Sequence, residues 1–154
     1  MKVLRIDHIH YKTSEIEKVV PIFEKLLGAE PIMDADFEDE HGIHDVIFGL
    51  PNAVQVTQVC NPNIAEGKIY SGVSNGIYGF ALHVEDINEA AAEMEEMGGK
   101  LLYENDFGVV LEKVYKLDAL NLIIEINQYD DAIMSGAAQE EVIQEVKENA
   151  KEHC

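Results

Sequence analysis

Tryptophan is absent from this 154-residue chain, cysteine occurs twice and proline four times, and only 11 lysines and arginines stand against 30 aspartates and glutamates. Each shortage excludes something. Cys60 and Cys154 lie far apart and form no metal-type pair, and two cysteines make no disulfide framework, so a cytoplasmic setting is the expectation. The formal charge of −19 excludes nucleic acid and anionic membrane surfaces as partners. It also leaves few cations to attract an anionic ligand. No apolar run approaches the length needed to span a bilayer. The opening M-K-V-L-R-I-D-H has no apolar core followed by a small-residue cleavage site, so no signal peptide is expected. What is present, 47% hydrophobic and 27% charged residues, fits a globular protein of one domain or two small modules sharing a core.

The pattern along the chain occurs twice. Lys2 to Tyr11 alternates as a strand, with His8 and His10 on one face. Ser14 and Glu17 have capping-box spacing, Ile16, Val19, Val20, Phe23, Leu26 and Leu27 form an apolar stripe, and Gly28 supplies the stop. Pro21, past the first turn, is expected to kink that helix or mark a late restart. Strands follow at Glu30 to Asp36, Ile43 to Leu50 and Ala53 to Cys60. Residues 61–75, rich in Gly, Asn and Pro signals, read as a linker. From Gly76 the order begins again: a strand to Val84, Asp86 and Glu89 at capping-box spacing, the stripe Ile87, Ala90, Ala91, Met94 and Met97, the stop Gly98-Gly99, and strands near 100–103, 109–116 and 122–128.

Residue n laid on residue n+71 pairs Ile16 with Ile87, Phe23 with Met94, Leu26 with Met97 and Gly28 with Gly99. Agreement of cap, stripe and stop marks an internal repeat. The expected fold is α+β, two tandem βαβββ modules (1–60 and 76–130, joined by 61–75) forming one cupped mixed sheet. A C-terminal tail, 131–154, carries an acidic helix over Ala137 to Cys154.

One residue breaks the apolar logic of the last strand. Glu125 interrupts Leu122, Ile123, Ile124 and Ile126, and a buried carboxylate is costly unless a cation or hydrogen bonds compensate it. Two readings stand: Glu125 faces solvent or pairs with a lysine, or it ligates a metal at the centre of the cup. His8 divides in the same way, between a satisfied core histidine and a ligand.

Two such modules carrying I-D-H-I-H-Y at 6–11, H-G-I-H-D-V at 41–46, V-T-Q-V-C-N-P at 56–62, H-V-E-D-I-N at 83–88, L-L-Y-E at 101–104 and I-E-I-N-Q-Y at 124–129 resemble the vicinal oxygen chelate superfamily. The likeness is greatest to its methylmalonyl-CoA epimerases and spans residues 3 to 130. It implies one divalent metal (Zn²⁺, Co²⁺, Mn²⁺ or Ni²⁺) held by His8, by Gln58, four residues before a proline, and by Glu125. It implies a small-molecule substrate and a homodimer. It also implies proton transfer beside a thioester carbonyl, with Asp45 and Glu125 as the acid/base pair, although aspartate is one methylene shorter than the glutamate found there in the epimerases. The sequence departs from the family at Gly79, where a further histidine ligand belongs. A one-residue shift would put Tyr78 there on the wrong face, and His10 and His83 share the parity of His8 and Gly79 but lie two or four residues along their strands. Two further readings stay open: a metal-free binding protein in which Gly79 makes room for a larger ligand, and a glyoxalase I-like lyase.

Overall fold

A computed structural model describes residues 1–130 of the chain; the tail 131–154, with the helix expected over 137–154, lies outside the described residues. The elements run β1 (Val3–Lys12), α1 (Ile16–Leu27), β2 (Met33–Phe37), β3 (Ile43–Ile47), β4 (Val54–Val59), α2 (Ala65–Tyr70), β5 (Gly76–Val84), α3 (Ile87–Glu96), β6 (Lys100–Asp106), β7 (Val110–Leu117) and β8 (Leu122–Tyr129). All eight strands form one sheet in the order β2-β3-β4-β1-β5-β8-β7-β6. Each half closes on a parallel pair, β1 with β4 and β5 with β8, and the halves meet where β1 and β5 run antiparallel. The result is the expected α+β arrangement, a curled half-barrel.

Strand alternation sorts the side chains between two faces. Val46, Phe48, Val54 and Val56 pack beneath Ile16 of α1. Ile124 and Ile126 pack with Ile87, Ala90, Ala91 and Met94 of α3. Fully burying a side chain such as Ile87 or Met94 contributes about 1.5–3 kcal/mol, enough to seat a ten-residue helix of modest propensity. The concave face carries Met33, Ala35, Phe37, Ile43, Tyr78, Val114 and Ile123, with Tyr70 of α2 packed among them. The stretch read as a linker therefore contains a short helix and supplies part of the cup wall. Six residues with a glycine among them carry no apolar periodicity to announce it.

The helix starts hold a second regularity. Asp86 caps α3 as expected, accepting from the backbone of Asn88 and Glu89. Ser14 does not cap α1, whose N-cap is Glu15 with no side-chain cap. The amide of Ile16 is instead satisfied by Gln58 Oε1 at 2.8 Å, and that of Ile87 by Gln128 Oε1 at 2.8 Å. The two glutamines lie 70 positions apart, so this cross-strand cap is part of the repeat. Pro21 neither breaks nor restarts α1, which runs through it.

Candidate metal centre

At the seam of the two halves, His8 pairs with Ala81 across β1 and β5, and Ala81 pairs with Glu125 across β5 and β8. The middle member of this row is small and wholly buried. At about 4.8 Å between strands, long side chains two strands apart meet only over such a residue. His10, next on the same face of β1, pairs with Gly79. His8, His10 and Glu125 converge, each offering a ligand atom within 4.8 Å of the others'. His8 Nε2 stands 3.8 Å from Glu125 Oε1, and His10 Nε2 stands 3.2 Å from Oε2.

Two single-residue bulges build the surroundings. Between the pairs Ile6–Leu82 and His8–Ala81, β1 carries Asp7 as an extra residue. A bulge breaks the alternation of faces. Asp7 is therefore buried beside His8, and His8 Nδ1 donates to Asp7 Oδ2 at 2.9 Å. Tyr129 donates to the same oxygen at 2.8 Å, and Arg5 lies 3.3 Å from the other. Between His10–Gly79 and Tyr11–Ile77, β5 carries Tyr78 as its extra residue. Tyr78, expected on the wrong face, thus enters the cup, with its ring stacked on His10 and its hydroxyl 3.5 Å from His10 Nδ1.

Gly79 opens no space. A Cβ at this position would lie 1.7 Å from the carbonyl oxygen of Ile123, so the β8 backbone fills the place of any side chain. This removes the reading in which Gly79 makes room for a larger ligand. It also corrects the expectation that His10 stands too far along its strand: as the cross-strand neighbour of Gly79, it brings an imidazole to the site. His83 does not join it. Its ring lies edge-on to Tyr129 at 4.8 Å, and its strand partners are Arg5 and Asn127.

Gln58 is not brought to the cup. Together with Val54 and Val56 it lies on the helix side of β4, where its carbonyl caps α1. The residue that corresponds to Glu125 in the first half is Gln55, 70 positions earlier, and its side chain hydrogen-bonds Asp45 in the cup. The spacing between the capping glutamines and these two residues carried that signal; the distance to Pro62 did not. Asp45 is buried on the concave face, accepting from Thr57 Oγ1 at 2.6 Å.

The electrostatics favour a cation at the triad. Burial alone would raise Glu125, but His10 and His8 hold it well below the usual carboxylate range, and Asn127 Nδ2 steadies Oε1 at 2.7 Å. Burial opposes charge on His8, yet the Asp7 hydrogen bond and the charges of Glu125, Asp7 and Asp45 raise it. Burial lowers His10, against the pull of Glu125. Asp7, despite its burial, is held down to about 2 by His8, Tyr129 and Arg5. Asp45 moves the other way, pushed up to about 6 by burial and by the charges of Glu66 and Glu125.

His8 Nε2 and His10 Nε2 are both buried and turned toward the one Glu125 carboxylate, His10 within ion-pairing distance at 3.2 Å and His8 at 3.8 Å, and neither has another hydrogen-bond partner among the described residues. An imidazole whose Nδ1 donates to a carboxylate presents Nε2 as a lone pair, the arrangement of histidines that ligate metals. The donor set of two imidazoles and a carboxylate therefore fits a divalent first-row cation, and the fit rests on His10 where the sequence led to Gln58.

Among curated proteins none matches this chain by sequence. Among solved structures, the methylmalonyl-CoA epimerase of Mycobacterium tuberculosis is similar at 17% identity and a TM-score of 0.65, over 84% of this chain and 91% of that one. A methylmalonyl-CoA epimerase in complex with methylmalonyl-CoA and ammonium superposes at 0.66 with 18% identity, over 84% and 97%. A variant of the Streptomyces coelicolor methylmalonyl-CoA epimerase in complex with 2-nitronate-propionyl-CoA gives the same values. At such identities the likeness establishes the fold alone. The family itself is established by sequence: the model of the Glyoxalase/Bleomycin resistance protein/Dioxygenase superfamily matches residues 7–109, from the bulged Asp7 through both central strands to the residue before β7, and the chain belongs to that superfamily.

Proposed function

We propose that this protein is a metal-dependent enzyme that moves a proton at a carbon beside a carbonyl group, in the manner of methylmalonyl-CoA epimerase. The observation that carries the reading is the convergence of two buried imidazole nitrogens on the Glu125 carboxylate. His8, His10 and Glu125 would hold the cation. A divalent ion so held supplies a Lewis acid that polarises a carbonyl oxygen and acidifies the neighbouring C–H.

The remaining work falls to the chain's own groups. Asp45 is the base in this reading, taking the proton from the acidic carbon and giving one back to it. Burial pushes it up to about 6, so near neutral pH it is ionised yet basic enough to accept a proton from carbon. Thr57 and Gln55 fix the orientation of its carboxylate. Asp7 and Tyr129 hold the His8 ring from behind. Tyr78 and Tyr70, with Tyr103, wall the cup on the α2 side and keep water from the carbanion. The substrate we favour is a small branched acyl thioester, because the similar folds are those of enzymes complexed with such esters.

The test begins with elemental analysis of the purified protein, after chelation and after reloading with Co²⁺ or Zn²⁺, beside a His8→Ala control. The reading expects about one ion per chain, lost in the control. Methylmalonyl-CoA is then incubated with the loaded protein in D₂O, and deuterium at the acidic carbon is followed by mass spectrometry. Exchange that depends on the metal and on Asp45 supports the reading; a protein that takes up no metal, or catalyses no exchange when loaded, refutes it. Turnover of a glutathione hemithioacetal in place of the thioester would keep the reaction class and change the substrate to that of a glyoxalase I-like lyase.

A further inference from the structure

Glu112 is a half-buried acid that the triad does not use. Its place follows from register. On β7 it faces Asn127 of β8, two residues beyond Glu125 on the same side of the sheet, so its side chain enters the cup next to Glu125. The two carboxyl groups are in hydrogen-bond contact. Each is also oriented by an asparagine: Asn127 Nδ2 donates to Glu125 Oε1 at 2.7 Å, and Asn105 Nδ2 donates to Glu112 Oε1 at 3.0 Å. An amide on one oxygen leaves the other directed at its neighbour.

The repeat shows that this position is not incidental. In the first half, Asp45 of β3 faces Thr57 of β4; in the second, Glu112 of β7 faces Asn127 of β8. Thr57 and Asn127 lie 70 positions apart, the spacing of the capping glutamines. Glu112 is therefore the second-half counterpart of Asp45. The first-half acid is held by a threonine and a glutamine, while its counterpart reaches the carboxylate on which both imidazoles converge.

Two carboxyl groups placed against each other in a buried site have little reason to persist unless something shares them. A dication held by two neutral imidazoles and one carboxylate would leave a net positive charge out of contact with water, an expensive state. A second carboxylate cancels it. Two imidazoles with two carboxylates also form a hard, oxygen-rich set suited to first-row divalent ions.

We infer that Glu112 is the fourth protein ligand of the cation site, joining His8, His10 and Glu125 through the oxygen that Asn105 does not bind. This inference rests on the metal reading above and goes beyond it by adding a ligand from a strand that the sequence did not single out.

The test is Co²⁺ titration of the full-length, chelator-stripped protein, read by calorimetry and by the visible d–d spectrum of the bound ion. In Glu112→Gln the shape and the Asn105 hydrogen bond survive while the charge is lost. Affinity is expected to fall by more than the about 10- to 100-fold typical of a group outside the ligand shell, and the d–d bands are expected to shift as the donor set changes. Glu112→Asp, which withdraws the carboxylate by one methylene, gives an intermediate loss. If Glu112→Gln proves too unstable to purify, Asn105→Ala carries the test: it frees the Glu112 carboxyl to turn and is expected to weaken Co²⁺ about tenfold while leaving the melting temperature of the stripped protein within a few degrees. Wild-type affinity and an unchanged spectrum in these variants would overturn the assignment of Glu112 and leave the triad standing. A wild-type chain that binds no Co²⁺ would overturn the metal reading itself, so the two failures are distinguishable.

Discussion

Replacing Asp45 by asparagine should make the metal-free protein more stable and the metal-loaded protein less active, and the structure indicates the size of the stability gain. Asp45 is 6% exposed, and burial with like charges moves it from an ordinary 3.8 to about 6. A carboxyl raised on folding binds its proton more tightly in the folded chain than in the unfolded one. Stability then falls as pH rises from the unfolded value through the folded one, and the full cost is present above about pH 6. At about 1.36 kcal/mol for each pH unit, that cost is about 3 kcal/mol at pH 7, and linkage reduces it to about 1 kcal/mol at pH 4.5. Asp45→Asn keeps the shape and the polar contact with Thr57 but carries no charge. Urea unfolding of the chelated protein should therefore show a gain of up to about 3 kcal/mol at pH 7, shrinking to about one third of that at pH 4.5. In a thermal melt at pH 7 the gain is on the order of 10 °C. A variant less stable than wild type at pH 7, or a gain independent of pH, would refute the reasoning, because either result means that the carboxylate is not held out of water against its charge. Loss of deuterium exchange in the same variant would show stability exchanged for function at one residue.

Four other perturbations follow from the geometry. Gly79→Ala places a Cβ 1.7 Å from the Ile123 carbonyl oxygen, against backbone that cannot turn aside as a side chain would, and should cost more than about 4 kcal/mol or prevent folding, as read by circular-dichroism melts. Gln58→Ala removes the acceptor for the Ile16 amide and should cost about 1 kcal/mol in equilibrium unfolding while leaving Co²⁺ affinity unchanged, the reverse of what a ligand would do. Asp7→Asn should weaken Co²⁺ by about 10- to 100-fold in calorimetry, because the His8 ring loses the acceptor-only, charged carboxylate that sets its tautomer and orientation. His10→Ala should abolish one-to-one metal uptake in elemental analysis, whereas His83→Ala, away from the triad against Tyr129, should preserve it.

The parts of this molecule legible in its sequence are those governed by period. The apolar stripes of α1 and α3, their 71-residue spacing and the strand runs between their stops are enough to specify two βαβββ halves, and the odd acid in the apolar run of β8 marks the centre of the cup. What escaped reading comes from two single-residue insertions in that period. The extra residue at Asp7 turns a side chain assigned to the other face of β1 into the support of His8. The extra residue at Tyr78 brings a tyrosine over His10 and aims the next position at the β8 backbone. No composition or spacing signals a bulge, since its cause is the pairing of strands far apart in sequence. Gln58 escaped for a different reason. The distance to a proline chose it, while carrying the repeat through to the last strand of each half would have paired Gln58 with Gln128 as caps and Gln55 with Glu125 in the cup. Seen through the bulge, the missing ligand at Gly79 and the presence of His10 are one structural event. The strand that lost a side chain to close packing against Ile123 lies directly beside the residue that now supplies an imidazole, so the vacancy in the family pattern and its replacement are set by a single pair in the β1–β5 ladder.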